Sequence, residues 1–258
     1  MTILVTGSTG NVGAHVVRSL NARGERVSVL GRNVQARSFD GERLFLACAN
    51  VPEQVAFECA AIDAAVAAGV KQIVKLSGPD ASVHSSLVFE RWHGEIEQHL
   101  AASGIPHVLL RPRTFMTNLF AYAPATVLRA PAGDAAISFI DPRDVADCAV
   151  AALTGDGHEG RVYTLTGPAA LTYAQIAAEL SRVLDRTVAF VDVSDDQARG
   201  GLLAGGVPPF LADAIVDIFR SQRAGTMADT TDTVRRLTGH DARSFAEFAR
   251  DHAAVFRG

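Results

Sequence analysis

Residues 2–13 read Thr2-Ile3-Leu4-Val5-Thr6-Gly7-Ser8-Thr9-Gly10-Asn11-Val12-Gly13, a short β-branched run that passes straight into three glycines at three-residue spacing. A continuous apolar run of this length is the signature of a strand buried on both faces of a parallel sheet. The glycines are followed by a helical pattern with Val12, Val16, Val17 and Leu20 on one face and Gly24 just past its end. Arg26–Leu30 is then a second strand. Strand, loop, helix and strand together make one βαβ unit of about 30 residues, the length a parallel crossover needs.

Further along, Leu44–Ala47 and Gln72–Leu76 read as strands, with a helix over Pro52–Ala68 between them that carries Val55, Cys59, Ile62 and Val66 on one stripe. A helix over Leu87–Ser103 and a strand over His107–Leu110 follow. This alternation predicts an α/β fold, a Rossmann-type doubly wound parallel sheet. Beyond Arg111 the pattern loosens. Asp141 caps a helix with Pro142 at its first position, and Thr172-x-x-Gln175 and Ser244-x-x-Glu247 are capping boxes. Short strands are expected at Val162–Leu165 and Val188–Val191. The expected organisation is a nucleotide-binding domain over residues 1–113 plus 137–166, and a smaller α/β substrate lobe over 114–136 plus 167–258.

The glycine-rich turn has a chemical reading. Gly7 permits a tight turn, Gly10 lets the backbone approach a pyrophosphate, and Gly13 lets the helix lie close to the sheet. The helix N-terminus then offers N–H groups and a positive dipole end to phosphates. Thr6, Gly7, Ser8, Thr9, Gly10, Asn11, Val12 and Gly13 are therefore candidate ligands of a dinucleotide, three packing glycines being the alternative. A site for NAD(H) would place a carboxylate at the end of the second strand to hold the ribose hydroxyls. That position reads Gly31-Arg32-Asn33. A guanidinium there favours the 2′-phosphate of NADP(H), with NAD(H) as the alternative. Asn50, after the next strand, lies where ligands of open α/β sheets bind, although a turn asparagine reads the same way.

The bulk figures exclude several classes. A net charge of −4 without a long basic run argues against a nucleic-acid partner. Met1-Thr2 runs directly into a strand, and no apolar run reaches the roughly 20 residues needed to cross a bilayer. The expectation is a cytoplasmic protein without a membrane partner. Cys48, Cys59 and Cys148 lack Cys-x-x-Cys spacing and read as reduced packing residues. The histidine spacing predicts no metal site.

The opening Ile3–Gly13 resembles the atypical short-chain dehydrogenase/reductase superfamily. Val74-Lys75-Leu76-Ser77, Arg91-Trp92-His93-Gly94-Glu95, Arg111-Pro112-x-x-Phe115-Met116-x-Asn118 and the closing Ser244-Phe245-x-Glu247-Phe248-Ala249-x-Asp251-His252 resemble its NmrA-like branch. The resemblance covers nearly the whole chain. It implies either an NADPH-dependent reductase of quinone-like or dye-like conjugated acceptors, with a small aromatic substrate, or a regulator that senses NADP(H) and acts through a protein partner. It places Ser77 against substrate or nicotinamide and lets Pro112 and Phe115 pack on the nicotinamide. Ser77 as a hydroxyl ending a strand, and Phe115 as core, are the alternatives.

Two departures from the superfamily pattern stand out. None of Tyr122, Tyr163 or Tyr173 is followed by lysine at the Tyr-x-x-x-Lys spacing, and His93 falls close to where that lysine would sit. His93 is thus either a weak acid or cofactor contact, or a half-buried histidine bridged to Glu97 one turn later. Phe120, Tyr122, Phe210 and Phe219 are either pocket aromatics or packing. The second departure is a shortening, because only about eleven residues separate Arg32 from Leu44. Extended, they span about 35 Å, and the usual third strand with its flanking helices has no place in them. The second strand is then an exposed edge on which a second copy could pair to form a homo-oligomer.

Overall fold

A computed structural model describes residues 1–31, 39–124 and 126–258. Arg32 and Asn33 lie outside the described residues. Along the chain come β1 (Thr2–Val5), α1 (Gly13–Ala22), β2 (Arg26–Val29), β3 (Arg43–Leu46), α2 (Gln54–Ala67), β4 (Gln72–Leu76), α3 (Val88–Ala102) and β5 (His107–Pro112). Next are β6 (Thr114–Phe115), a 3-10 helix at Met116–Tyr122, β7 (Val127–Ala130), β8 (Ile137–Ile140), α4 (Pro142–Thr154), β9 (Val162–Leu165) and β10 (Ala170–Leu171). The chain closes with α5 (Tyr173–Leu184), β11 (Ala189–Asp192), α6 (Asp195–Ala204), α7 (Pro209–Arg223), α8 (Thr233–Thr238), α9 (Phe245–Asp251) and α10 (Ala253–Arg257).

Two compact units divide these elements, the first being Met1–Pro112 with Pro142–Leu165 and Thr233–His240. Its sheet is parallel throughout, in the order β2-β1-β3-β4-β5-β9. The α/β reading holds, and among the described residues nothing pairs outside β2, whose Val29 is 54% exposed. Alternate strand residues face opposite sides. Leu4, Leu44, Leu46, Ile73 and Leu109 share a cluster with Ala61 and Ile62 of α2 and Ile96 and Leu100 of α3. Ile3, Val5, Phe45, Val74, Val108 and Leu110, equally buried, project to the other side of the sheet. There α4 packs on β3, β4, β5, α1 and α8.

The second unit comprises Arg113–Asp141, Thr166–Asp232 and Asp241–Gly258. Strand β8 pairs antiparallel with β10 and parallel with β6, and β11 pairs parallel with β7. Its core gathers Phe139, Tyr173, Phe245, Phe248 and Phe256 with the apolar face of α5. Both expected capping boxes are present, Thr172 with Gln175 and Ser244 with Glu247, and Ser194 with Gln197 adds a third. Two segments fall outside the expected division. Residues 137–141 go with the second unit because β8 pairs with β6 and β10, and Thr233–His240 goes with the first because α8 packs on α4.

One stripe needs correction. On α2 the buried residues are Gln54, Glu58, Ala61, Ile62 and Ala65, while Val66 is 42% exposed. The helix is apolar nearly all round, so its periodicity does not single out the inward face. On α3, Glu90 and His93 are buried beside Ile96 and Leu100, so its inward face carries polar groups as well as apolar ones.

Candidate functional site

The loop after β1 is shaped by contacts that exclude larger residues. Gly7 has a left-handed φ of 60°, and a Cβ there would lie 2.8 Å from the Ala47 carbonyl oxygen. A Cβ on Gly13 would lie 2.1 Å from the Gly7 carbonyl oxygen. The Gly10 N–H donates to the Gly7 carbonyl at 2.9 Å, which closes the turn. Gly7, Thr9, Gly10 and Asn11 are exposed, Ser8 is half-buried, and Val12 and Gly13 are buried. No side chain caps α1, and its first turn carries no acidic residue. That end is therefore open to an anion, as a phosphate cradle requires.

Thr6 has a different occupation. Its hydroxyl donates to the Ala47 carbonyl at 3.0 Å and accepts from the Ala47 N–H at 2.8 Å, with the side chain wholly buried. It clips the end of β1 to the chain leaving β3, which holds the loop's base in place. Asn50 is exposed in the turn beyond β3.

A polar assembly that the sequence did not reveal lies on the α2–α3 side, at the C-terminal end of β4. Parallel register places Leu46, Lys75 and Leu109 side by side on that face. The Lys75 Nζ donates to Glu58 Oε2 of α2 at 2.6 Å and to the Leu76 carbonyl at 3.1 Å, and lies 3.4 Å from His93 Nδ1. Gln54 Nε2 donates to Glu58 Oε1 at 3.0 Å and lies 3.5 Å from His93 Nε2. His93 is only 7% exposed. Burial holds its ring well below the ordinary histidine range, and the charges of Lys75 and Arg111 add to that.

The His93–Glu97 bridge, one of the two readings of His93, does not form. Glu97 instead accepts from Ser77 Oγ at 2.5 Å and from Nε of Arg111 at 3.0 Å, with Arg111 Nη2 closing a second bond. His93 sits one helical turn earlier, rotated toward α2. The signal that could have located this group is the run of inward strand positions Lys75, Ser77 and Arg111, which need buried partners on the facing helices.

Pro112 is buried at the end of β5. Phe115 lies in β6 of the second unit, half-buried. Phe120, Tyr122 and Phe219 pack against the aromatic core of that unit, which is the packing alternative, whereas Phe210 is 43% exposed on α7. Cys148 is fully buried, and burial pushes its thiol up to about 12. Among the described residues one group of metal-ligand type occurs, Asp144, Asp147 and His240, in which His240 Nε2 lies 3.3 Å from Asp147 Oδ2.

The parallel sheet with its glycine-gated helix N-terminus defines a Rossmann-type protein. More narrowly, the chain belongs to the NmrA-like family, which it matches over residues 36–248. It is 41% identical to a (4-alkanoyl-5-oxo-2,5-dihydrofuran-3-yl)methyl phosphate reductase of Streptomyces griseus, covering 98% of this chain and 99% of that protein. It is 37% identical to an NAD(P)H azoreductase of Xenophilus azovorans, with 98% and 99% covered. Among solved structures, an NADPH-dependent quinone oxidoreductase of Escherichia coli complexed with NADPH superposes with a TM-score of 0.85 at 30% identity. That match covers 98% of this chain and 99% of the other.

Proposed function

We propose that this protein is an NAD(P)H-dependent oxidoreductase that reduces a conjugated, electron-poor acceptor of the quinone or dye type. The observation that carries this reading is the loop itself, in which Gly7 and Gly10 are exposed, Gly13 is buried against the Gly7 carbonyl, and the helix N-terminus carries no side-chain cap. A reduced nicotinamide supplies the hydride when bound. Gly7 to Gly13 would hold its pyrophosphate, with Asn50 and Pro112 bordering the same end of the sheet and Ser77 facing the reacting region. Relatives named as a butenolide phosphate reductase, an azoreductase and a quinone oxidoreductase support an acceptor with a conjugated, electron-poor centre. Such an acceptor takes hydride without a strong acid beside it, which suits a chain that carries no Tyr-x-x-x-Lys pair. Catalysis would rest chiefly on holding the two reactants in contact. Arg32 is the proposed determinant of NADP(H) over NAD(H). We assign the nucleotide to the first unit.

The test is loss of NADPH absorbance against a panel of quinones, azo dyes and butenolides, alongside a titration of NADPH binding. Turnover on any acceptor supports the reductase. Tight binding of NADPH and NADP+ with turnover on none would move the protein to the sensor reading. Arg32→Ala should erase the preference for NADPH over NADH, and an unchanged preference would remove Arg32 from the site.

A further inference from the structure

The polar assembly beneath the end of β4 can be counted proton by proton. An ammonium has three N–H bonds and no lone pair. Around Lys75 stand three acceptors, Glu58 Oε2 at 2.6 Å, the Leu76 carbonyl at 3.1 Å and His93 Nδ1 at 3.4 Å. The count closes only if His93 Nδ1 keeps its lone pair. A neutral imidazole with a lone pair on Nδ1 carries its proton on Nε2.

Two further groups border the ring. A Cβ on Gly78 would lie 2.6 Å from His93 Cδ2, so the ring is seated against the backbone following β4. On the other edge, Gln54 commits its amide nitrogen to Glu58 at 3.0 Å, while its Oε1 is buried without a hydrogen-bond partner. Turning Oε1 toward the ring would give up the bond to Glu58, so the amide nitrogen stays 3.5 Å from His93 Nε2 and the tautomer is set from the Lys75 side. The charged groups facing the ring are Lys75 from β4, Glu58 from α2 and Arg111 from β5, and Glu97 engages the last of these.

We propose that Lys75, anchored by Glu58, is a positioning residue that fixes His93 as a neutral ring with its proton on Nε2. His93 then does not serve as an exchangeable proton source. Any proton that the reduced acceptor needs comes from water or from the acceptor's own tautomerisation. This rests on His93 belonging to the reductase site, yet its central claim concerns the resting protein and is read without turnover.

The experiment is nitrogen-15 histidine labelling with long-range proton–nitrogen correlation, His93 being assigned by the signal lost in His93→Asn. In the wild-type chain, Nδ1 should show the unprotonated signature and Nε2 the protonated one, unchanged from about pH 8 to about pH 5, where free histidine titrates. Protonation of His93 in that range, or an Nδ1–H tautomer, overturns the proposal outright and needs no variant. Lys75→Met with Glu58→Leu removes the ammonium and frees the Gln54 amide to donate to Nε2, so the tautomer should shift toward Nδ1–H. Glu58→Gln alone should keep the wild-type tautomer because the ammonium remains. A double variant that folds and keeps the wild-type tautomer also overturns the assignment. Failure of the reductase reading would appear separately, as absence of turnover.

Discussion

Glu58 and Lys75 meet at 2.6 Å with both side chains wholly out of solvent, joining α2 to β4 across 17 residues of chain. Taking two ions out of water costs several kcal/mol each, and their attraction repays this only as a pair. Lys75→Met alone leaves a buried carboxylate uncompensated and should cost about 3–5 kcal/mol. Adding Glu58→Leu removes the second charge and should recover most of the loss. Urea unfolding of the two single variants and the double variant measures this, and additive losses would show that the pair is not coupled.

His93 makes folding stability pH-dependent in a defined direction. Its folded-state affinity for a proton is lowered by burial, so above about pH 6.5 the ring is neutral in both states and adds no slope. Below that, the unfolded chain takes up a proton that the folded chain refuses. Stability should then fall by about 1.4 kcal/mol per pH unit from this group until the folded ring itself titrates. Unfolding free energies at mildly acidic and neutral pH should differ less in His93→Gln than in the wild-type chain.

Glu97 ties Ser77 at the end of β4 to Arg111 in β5. Glu97→Gln keeps the shape but removes the charge from hydrogen bonds that are worth about 1.5–3 kcal/mol when an ionised group takes part. A loss of that size is expected in thermal or urea unfolding. Ser77→Ala, which removes one hydrogen bond to that carboxylate and leaves Arg111 paired with it, should cost less, about 1.5 kcal/mol. Equal effects would mean that the carboxylate's charge is not used.

Gly13→Ala would drive a Cβ to 2.1 Å from the Gly7 carbonyl oxygen, where only backbone can yield. Lifting α1 from the loop should weaken NADPH binding at least tenfold, about 1.4 kcal/mol, as read by titration. Gly24→Ala, past the other end of α1 with open space around it, should leave binding unchanged. Equal affinity of Gly13→Ala and wild-type chain would place the phosphates elsewhere.

Much of the first unit was legible along the chain. The strand expected at Gln72–Leu76 is β4, and that at Val162–Leu165 is β9, to the residue. The glycines after β1 stand where their spacing predicted a constricted turn. Capping boxes at Thr172 and Ser244 read correctly because both partners lie within four residues of chain. Less legible were the inward faces of α2 and α3. Gln54, Glu58 and His93 are buried although their residue types suggest solvent, and Val66 is exposed although its type suggests core.

What the sequence by itself determined is the class of fold, the constricted glycine turn and the missing tyrosine pair. These rest on periodicity, backbone sterics and residue identity, all properties of neighbours along the chain. Only the tertiary structure decided which side chains meet. His93 is turned from Glu97 to Lys75, Glu97 is taken by Ser77 and Arg111, and Thr6 is spent on Ala47. The physical reason is that a buried charge or hydrogen-bonding group takes its partner from whatever the sheet register and helix packing bring to it. Those partners are set by strands and helices far apart in the chain, which local pattern does not encode.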